Sequence, residues 1–274
     1  MDTKLIISDV DGTLIDKTEE ISQAFNELSD IVRTNKIPFT IASGRCYKEL
    51  KMFIEHFDIQ LPVVVNNGAG GVKNGELIWS NLIDPFMLKE AMLCADRMDM
   101  VIVTSDGLMD TAYRHNAYIQ NQIEKFGRYN RFHIPLESEW KDLKIQKLLL
   151  IDPQKPGRID EVLKHLEPYK EHLNIVRYDA RSADIMTKDS TKAKGILKVA
   201  RSLQVELENV MALGDARNDM EMIQQVGKGI AVGNANEELK KHAYYVCENE
   251  NSAGVLEAVN KFYLKKQFKE NLEC

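Results

Sequence analysis

Cysteine is scarce and scattered. The four in 274 residues (Cys46, Cys94, Cys247, Cys274) stand too far apart to form a metal-ligand or redox motif. They read as reduced thiols in a cytoplasm. The six histidines are dispersed as well, none with a partner at ligand spacing, so each reads as a surface or packing residue. No apolar run approaches the length that spans a bilayer. Met1-Asp2-Thr3-Lys4 leads straight toward a strand, without the basic and apolar regions of a signal peptide. A cytoplasmic protein with no membrane association is expected. Surplus positive charge is missing too. With 36 Lys and Arg against 42 Asp and Glu, the net charge is −6, which offers no basic surface to nucleic acid. An anionic small substrate would therefore have to meet a local positive site. No internal repeat or low-complexity segment is visible.

What is present is an ordinary globular composition, 44% hydrophobic and 28% charged. The length admits one large α/β domain or a core carrying an inserted domain. Leu5 to Ser8, Ile37 to Ala42 and Val63 to Val65 read as short buried strands. Amphipathic helices are expected between them over Glu19 to Thr34 and Tyr47 to His56. Near Leu82 the pattern changes: a helix over Met87 to Met98 feeds a hairpin of Met100 to Thr104 and Leu108 to Tyr113. Strands over Ile145 to Ile151 and Leu173 to Tyr178 flank a helix over Gly157 to Leu166. After Ile185 the strand–helix alternation returns, with helices at Lys192 to Leu203, Met220 to Val226 and Glu237 to His242. Strands there fall at Val210 to Leu213, Gly229 to Val232 and Tyr244 to Cys247. Lys261 to Lys269 reads as a solvated helix end. The expected fold class is α/β, a parallel-sheet core built from 1–81 and 186–274 and interrupted by an α/β insert over 82–185.

Ligands of an open parallel sheet bind where the loops after the strands converge. After the first strand come Asp9, Asp11, Gly12 and Thr13; alternation along a strand points Asp9 and Asp11 the same way. Crowded carboxylates need a cation, a shared proton or different jobs. After the second strand come Ser43-Gly44-Arg45, and after the third Asn66-Asn67-Gly68. Val210 to Leu213 is followed by Gly214-Asp215 and then Asn218-Asp219. Each piece has a plainer use. Ser43-Gly44 can cap a helix, Asp215 and Asp219 can be helix-start acids, Asn67-Gly68 can be a turn, and Lys192 can be a surface lysine. Taken together they suit phosphoryl transfer. A hard cation such as Mg²⁺ takes carboxylate oxygens and leaves positions for phosphate oxygens and water. A carboxylate can attack phosphorus, and a hydroxyl, a lysine and backbone N–H groups can bind the equatorial oxygens.

The order of these segments resembles the haloacid dehalogenase (HAD) superfamily, specifically its Cof-like phosphatases. Asp9-Val10-Asp11-Gly12-Thr13-Leu14, Ile41-Ala42-Ser43-Gly44-Arg45, Asn67-Gly68-Ala69, Lys192 and Gly214-Asp215-Ala216-Arg217-Asn218-Asp219-Met220 carry the resemblance. Ala231-Val232-Gly233-Asn234-Ala235 and Ser252-Ala253-Gly254-Val255 are similar to the family's closing segments. The resemblance implies a Rossmann-like core with a type IIB cap that selects substrate. It implies Asp9 as nucleophile, Asp11 as general acid and then base, and Lys192 as the lysine that neutralises the phosphoryl group and holds Asp9. Thr13, Ser43, Gly44, Asn67 and Asn218 would form the phosphate-binding set. Asp9, Asp11, Asp215 and Asp219 would form the Mg²⁺ group, Asp11 through its backbone carbonyl and Asp219 as an orienting acid. Asp11 also separates the chain from the dehalogenase branch, which lacks this second aspartate. One departure concerns the lysine: the family's Lys-Gly is here Thr191-Lys192-Ala193-Lys194-Gly195. Spacing from Asp184-Ile185-Met186 favours Lys192, since Lys194, two residues along a helix, points elsewhere.

The resemblance thus implies a Mg²⁺-dependent phosphatase of small phosphorylated metabolites, sugar phosphates first. A phosphomutase would use the same core and return the phosphoryl group to the sugar. A non-catalytic metabolite sensor is a further alternative, although the strand-end acids are all retained. The sequence leaves the substrate unnamed and leaves monomer and homodimer equally open.

Overall fold

The computed structural model describes residues 3–177 and 179–264. In chain order the elements begin with β1 (Leu5–Ser8), α1 (Gln23–Thr34), β2 (Phe39–Ile41), α2 (Tyr47–His56) and β3 (Val63–Val65). Next come β4 (Gly70–Lys73), β5 (Glu76–Ser80), α3 (Pro85–Arg97), β6 (Val101–Ser105), β7 (Asp110–Ala112) and α4 (Ala117–Phe126). β8 (Lys147–Ile151), α5 (Ile159–Leu163), β9 (Leu173–Arg177) and β10 (Ser182–Thr187) follow. The chain continues with α6 (Lys192–Ser202), β11 (Val210–Gly214), α7 (Met220–Gln225), β12 (Lys228–Ala231), α8 (Glu237–His242), β13 (Tyr245–Val246) and α9 (Asn251–Val259).

Two compact units result. The first comprises Met1–Gly44, Leu50–Gly68 and Thr191–Cys274. Its sheet runs β13-β12-β11-β1-β2, all parallel. β1 and β11 are buried along their whole lengths, as the continuous apolar run of a strand covered on both faces requires. α1 buries Phe25, Leu28 and Val32, with Phe25 edge-on to Phe53 and Phe57. This is the expected Rossmann-like arrangement. The helix expected from Glu19 begins later, because Glu19 adopts φ 60° and Ser22 caps Phe25 N at 3.1 Å.

The second unit comprises Arg45–Glu49 and Ala69–Ser190. Its antiparallel sheet has the order β7-β6-β8-β10-β9, packed on a core that includes Leu88, Trp140, Leu148, Leu150 and Ile185. The units divide at Gly68/Ala69 and Ser190/Thr191, whereas the sequence places divisions at 81/82 and 185/186. The β4–β5 hairpin and all of β10 lie on the second unit's side, β10 because it is paired on both edges, with β8 and β9. Arg45–Glu49 belongs there because Tyr47 and Lys48 donate backbone N–H groups to the carbonyls of Gly107 and Leu108, at 2.9 and 3.0 Å. The β4–β5 hairpin, α4 and the full β10 were not legible in the periodicity. Among the described residues, no helix is long and apolar enough to cross a membrane. Of the sequence expectations, Cys274, Tyr178 and the tail beyond Leu264 lie outside the described residues.

Candidate active site

β1 and β11 are neighbours in register, Ser8 opposite Leu213, so the residues that follow them emerge side by side. Parallel neighbours lie roughly 4.8 Å apart, which brings Asp9 and Asp215 together although 205 positions separate them. Asp9 donates its backbone N–H to Leu213 O at 2.9 Å and is buried. β2 flanks β1 on its other edge, Ser8 opposite Ile41, and delivers Ser43 and Gly44 to the same end of the sheet. Ser43 is buried and Gly44 half-buried. Ser43 donates its N–H to Val64 O at 3.0 Å, and its carbonyl accepts from Asn67 N at 2.9 Å. The loop after β3 is thereby tied to the loop after β2.

The turn after β1 depends on Gly12, at φ 83°, a conformation L side chains resist. Its N–H bonds Ile15 O at 2.8 Å, and its carbonyl accepts from Asn234 Nδ2 at 2.7 Å. Asp11 is exposed in this turn. Thr13 is buried, and its hydroxyl donates to Asp215 Oδ1 at 3.0 Å. Asn66 and Asn67 adopt left-handed backbone, φ 49° and 53°, where asparagine is tolerated. Asn67 Oδ1 accepts from Asn218 Nδ2 at 3.1 Å.

Lys192 opens α6, whose N-cap, Thr191, accepts from Lys194 N at 3.2 Å. That cap fixes the first turn and sends Lys192 inward. Its Nζ, fully buried, stands 2.6 Å from Asp9 Oδ1 and 2.7 Å from Asp219 Oδ1. Asp219 spends its other oxygen on the backbone N–H groups of Asp215 and Ala216, each at 3.0 Å. It organises the loop that carries Asp215.

The electrostatics are those of a crowded acid cluster. Burial pushes the Asp9 carboxyl well above the usual range, Asp219, Asp215 and Asp11 push it further, and Lys192 opposes them. Asp215 is raised to about 6 by burial and by Asp219, against the hydrogen bond from Thr13 and the charge of Lys192. Burial works against the Lys192 charge, but Asp219 and Asp9 outweigh it and keep the ammonium protonated. Carboxylate oxygens of Asp9, Asp215 and Asp219 lie within 4.8 Å of one another. One ammonium among these acids leaves an excess of negative charge that a hard divalent cation, bound by oxygen donors, would balance. The donor set fits such an ion. Asp9 and Asp215 are the acids best placed to hold it, since both Asp219 oxygens are already engaged.

The ten candidate site residues thus all fall in the first unit: eight in the loops after β1, β2 and β11, Asn67 in the turn after β3, and Lys192 at the start of α6. Sequence reasoning missed how Gly68, at φ 96°, lets the chain pass against the Thr191 carbonyl. It also missed the reach of Asn234 to Gly12, for which the polar residue after β12 was the available signal.

Comparison with known proteins agrees with this geometry. Residues 6–259 match the profile of the haloacid dehalogenase-like hydrolase family. YkrA of Bacillus subtilis is 29% identical over 269 residues, covering 97% of this chain and 100% of that one. The 5-amino-6-(5-phospho-D-ribitylamino)uracil phosphatase YcsE of the same organism is 26% identical over 265 residues, 96% of this chain and 97% of that one. A crystal structure of a haloacid dehalogenase-like hydrolase from Bacteroides thetaiotaomicron shares the fold, with a TM-score of 0.83 at 24% identity, covering 96% of this chain and 100% of that one. The chain belongs to the haloacid dehalogenase-like hydrolase family, in its Cof-like branch, and is a phosphatase of that family.

Proposed function

We propose that this phosphatase hydrolyses phosphate monoesters of small metabolites, sugar phosphates first among them, through a phosphorylated Asp9. The observation that carries the reading is the buried Lys192 ammonium, held between Asp9 and Asp219 beside Asp215. A lysine so placed opposes the upward push on the Asp9 carboxyl and fixes one of its oxygens.

In the first half-reaction, an Asp9 carboxylate oxygen bonds to phosphorus while the bond from phosphorus to the ester oxygen breaks. Asp11, exposed two residues on, gives its proton to the departing alkoxide. In the second, Asp11 takes a proton from water, whose oxygen attacks phosphorus and releases Asp9 and inorganic phosphate. Lys192, the Ser43 hydroxyl and the backbone N–H groups of the β1 and β2 loops would stabilise the equatorial oxygens. Asn67 and Asn218 brace one another and would hold the phosphate-facing loop. Thr13 would serve by fixing Asp215. A Mg²⁺ ion held by Asp9, Asp215 and the Asp11 carbonyl would supply charge neutralisation at the phosphoryl group. The second unit, as a cap, would select the alcohol. YcsE, whose named substrate is a phosphate ester of a ribityl chain, supports hydroxylated esters as the class to test first.

A panel of phosphorylated metabolites with Mg²⁺, scored by released phosphate, tests the reading. Asp9→Asn should keep the fold and lose turnover by three orders of magnitude or more. Substantial residual hydrolysis in that variant would refute the assignment, and isomer formation without free phosphate would turn it into a mutase.

A further inference from the structure

The turn after β1 is closed by a side chain from the far end of the first unit's sequence. Within the turn, Gly12 donates its N–H to Ile15 O at 2.8 Å, and Leu14 and Ile15 donate theirs to Val10 O at 2.8 and 3.1 Å. These bonds use the carbonyls of Val10 and Ile15. The Gly12 carbonyl, one peptide beyond Asp11, takes its bond from Asn234 Nδ2 at 2.7 Å, across 222 positions of sequence. The other end of the same amide is occupied as well. Asn234 Oδ1 accepts the N–H of Asn251, the first residue of α9, at 2.9 Å. That N–H is one of the donors that a helix start leaves without an internal partner. With a backbone acceptor on one side and a backbone donor on the other, the site is matched to a carboxamide.

The loop that carries Asn234 is itself fixed. Gly233 donates its N–H to Asn249 O at 2.8 Å, and Ala235, which is buried, donates to Val232 O at 2.9 Å. Asn236 donates to Asp215 O at 2.9 Å. The loop after β12 therefore braces two loops of the site, that of Asp215 through backbone and that of Asp11 through one side chain, all within the first unit. Asp11 has the greater need of a brace. Asp9, Thr13 and Asp219 are buried and are held by what surrounds them. Asp11 is exposed, so its carboxyl goes where the backbone of the turn, bridged from Asp11 to Ile15, carries it. A displacement of about 1 Å in a reacting group costs on the order of 100-fold in rate.

We propose that Asn234 is a positioning residue for Asp11: by holding the Gly12 carbonyl it keeps the turn in the conformation from which the Asp11 carboxyl reaches the ester oxygen. The inference deepens the phosphatase reading and rests on it. As the bond between phosphorus and the ester oxygen breaks, its electron pair passes to that oxygen, which takes the Asp11 proton. An alkoxide needs that proton in order to leave. A p-nitrophenolate, a far weaker base, leaves without it. The contribution of Asn234 therefore grows with the basicity of the leaving group.

The test compares kcat/KM for the alkyl phosphate that the wild type cleaves best with kcat/KM for p-nitrophenyl phosphate. This parameter ends at the first irreversible step, so it reports departure of the alcohol and not the later attack of water. In Asn234→Ala it should fall about 10- to 100-fold for the alkyl ester and less than about threefold for p-nitrophenyl phosphate. Asn234 is exposed, so its replacement leaves the core untouched. Asn234→Asp separates positioning from plain stability. It keeps an acceptor for the Asn251 N–H but sets a carboxylate oxygen against the Gly12 carbonyl, so it should match the wild type in urea midpoint and still show the same split between esters. Equal falls for both esters, or no fall for either, in Asn234→Asp overturn the proposal. Amide hydrogen exchange supplies the arm that is independent of turnover. In a peptide covering residues 10–15, exchange should be about tenfold faster in Asn234→Asp than in the wild type, and unchanged exchange also overturns the proposal. Wild-type protein that releases phosphate from no ester defeats the phosphatase reading, while the exchange comparison still decides whether Asn234 holds the turn.

Discussion

A Cβ on Gly12 would overlap the carboxylate of Asp215. The turn after β1 and the acid after β11 are packed so closely that only glycine leaves room. At φ 83° the backbone independently disfavours a side chain. Gly12→Ala should therefore displace Asp215 and cost about 1–3 kcal/mol of stability, the usual scale for strain of this kind. Urea unfolding with a parallel Mg²⁺ titration of activity checks both. A variant with unchanged midpoint and unchanged Mg²⁺ requirement would show that the turn relaxes freely.

The Lys192 ammonium bridges Asp9 Oδ1 and Asp219 Oδ1, at 2.6 and 2.7 Å. Lys192→Met leaves two buried carboxylates facing one another, and removing one partner of a buried ion pair costs about 3–5 kcal/mol. Part of that is recovered if one acid takes up a proton. Lys192→Met should be strongly destabilised at pH 7.5, less so at pH 5, and inactive at both. Lys192→Arg restores charge but not shape and should recover stability more than turnover. Equal stability of Lys192→Met and wild type at pH 7.5 would mean the pair contributes nothing.

The metal assignment predicts a different pattern. Asp215→Asn keeps an acceptor for the Thr13 hydroxyl, which donates at 3.0 Å, but removes one carboxylate charge from the cation site. The fold should survive. The Mg²⁺ concentration for half-maximal activity should rise at least tenfold, and chelation should abolish wild-type activity reversibly. Activity indifferent to chelator in the wild type would end this assignment.

Much of this was legible because it is short-range. Asp9 and Asp11, the glycine between strand and turn, and the acids after β11 announce themselves next to buried strands, and a parallel sheet dictates that strand ends converge. Lys192 rather than Lys194 was legible from its spacing after Asp184-Ile185-Met186 and from helix geometry, whereas the Thr191 cap that fixes its first turn was not. Contacts across the chain were not legible. That Asp219 would spend both oxygens on Lys192 and the 215–216 backbone, and so support the site without open donor positions, depends on loop geometry. Asp110 meets Cys46 and Glu49 through a hairpin more than 60 residues away, which periodicity cannot report. The division read at 185/186 cuts β10 because the strand runs from half-buried Ser182 into buried Ile185 and Met186 without a turn signal.

Glu49 makes a prediction whose sign runs against the ordinary salt-bridged carboxylate. Burial, reinforced by Asp110, raises it to about 7, while Arg128, Arg45 and Lys147 oppose the rise. An unfolded glutamate titrates near pH 4.3. Below both values the two states hold the proton alike and nothing is lost. Between about 4.3 and 7 the folded chain keeps a proton that the unfolded chain has released, so stability falls as pH rises, then levels off. Glu49→Gln cannot ionise and removes this dependence. Relative to wild type, the variant should gain about 1–3 kcal/mol on going from pH 4.5 to 7.5, read from urea midpoints at each pH. The window should shift upward if Arg128→Met is combined with the wild-type Glu49, because one of the opposing charges is gone. Parallel pH profiles for wild type and Glu49→Gln would place that carboxyl in water rather than in the pocket with Asp110.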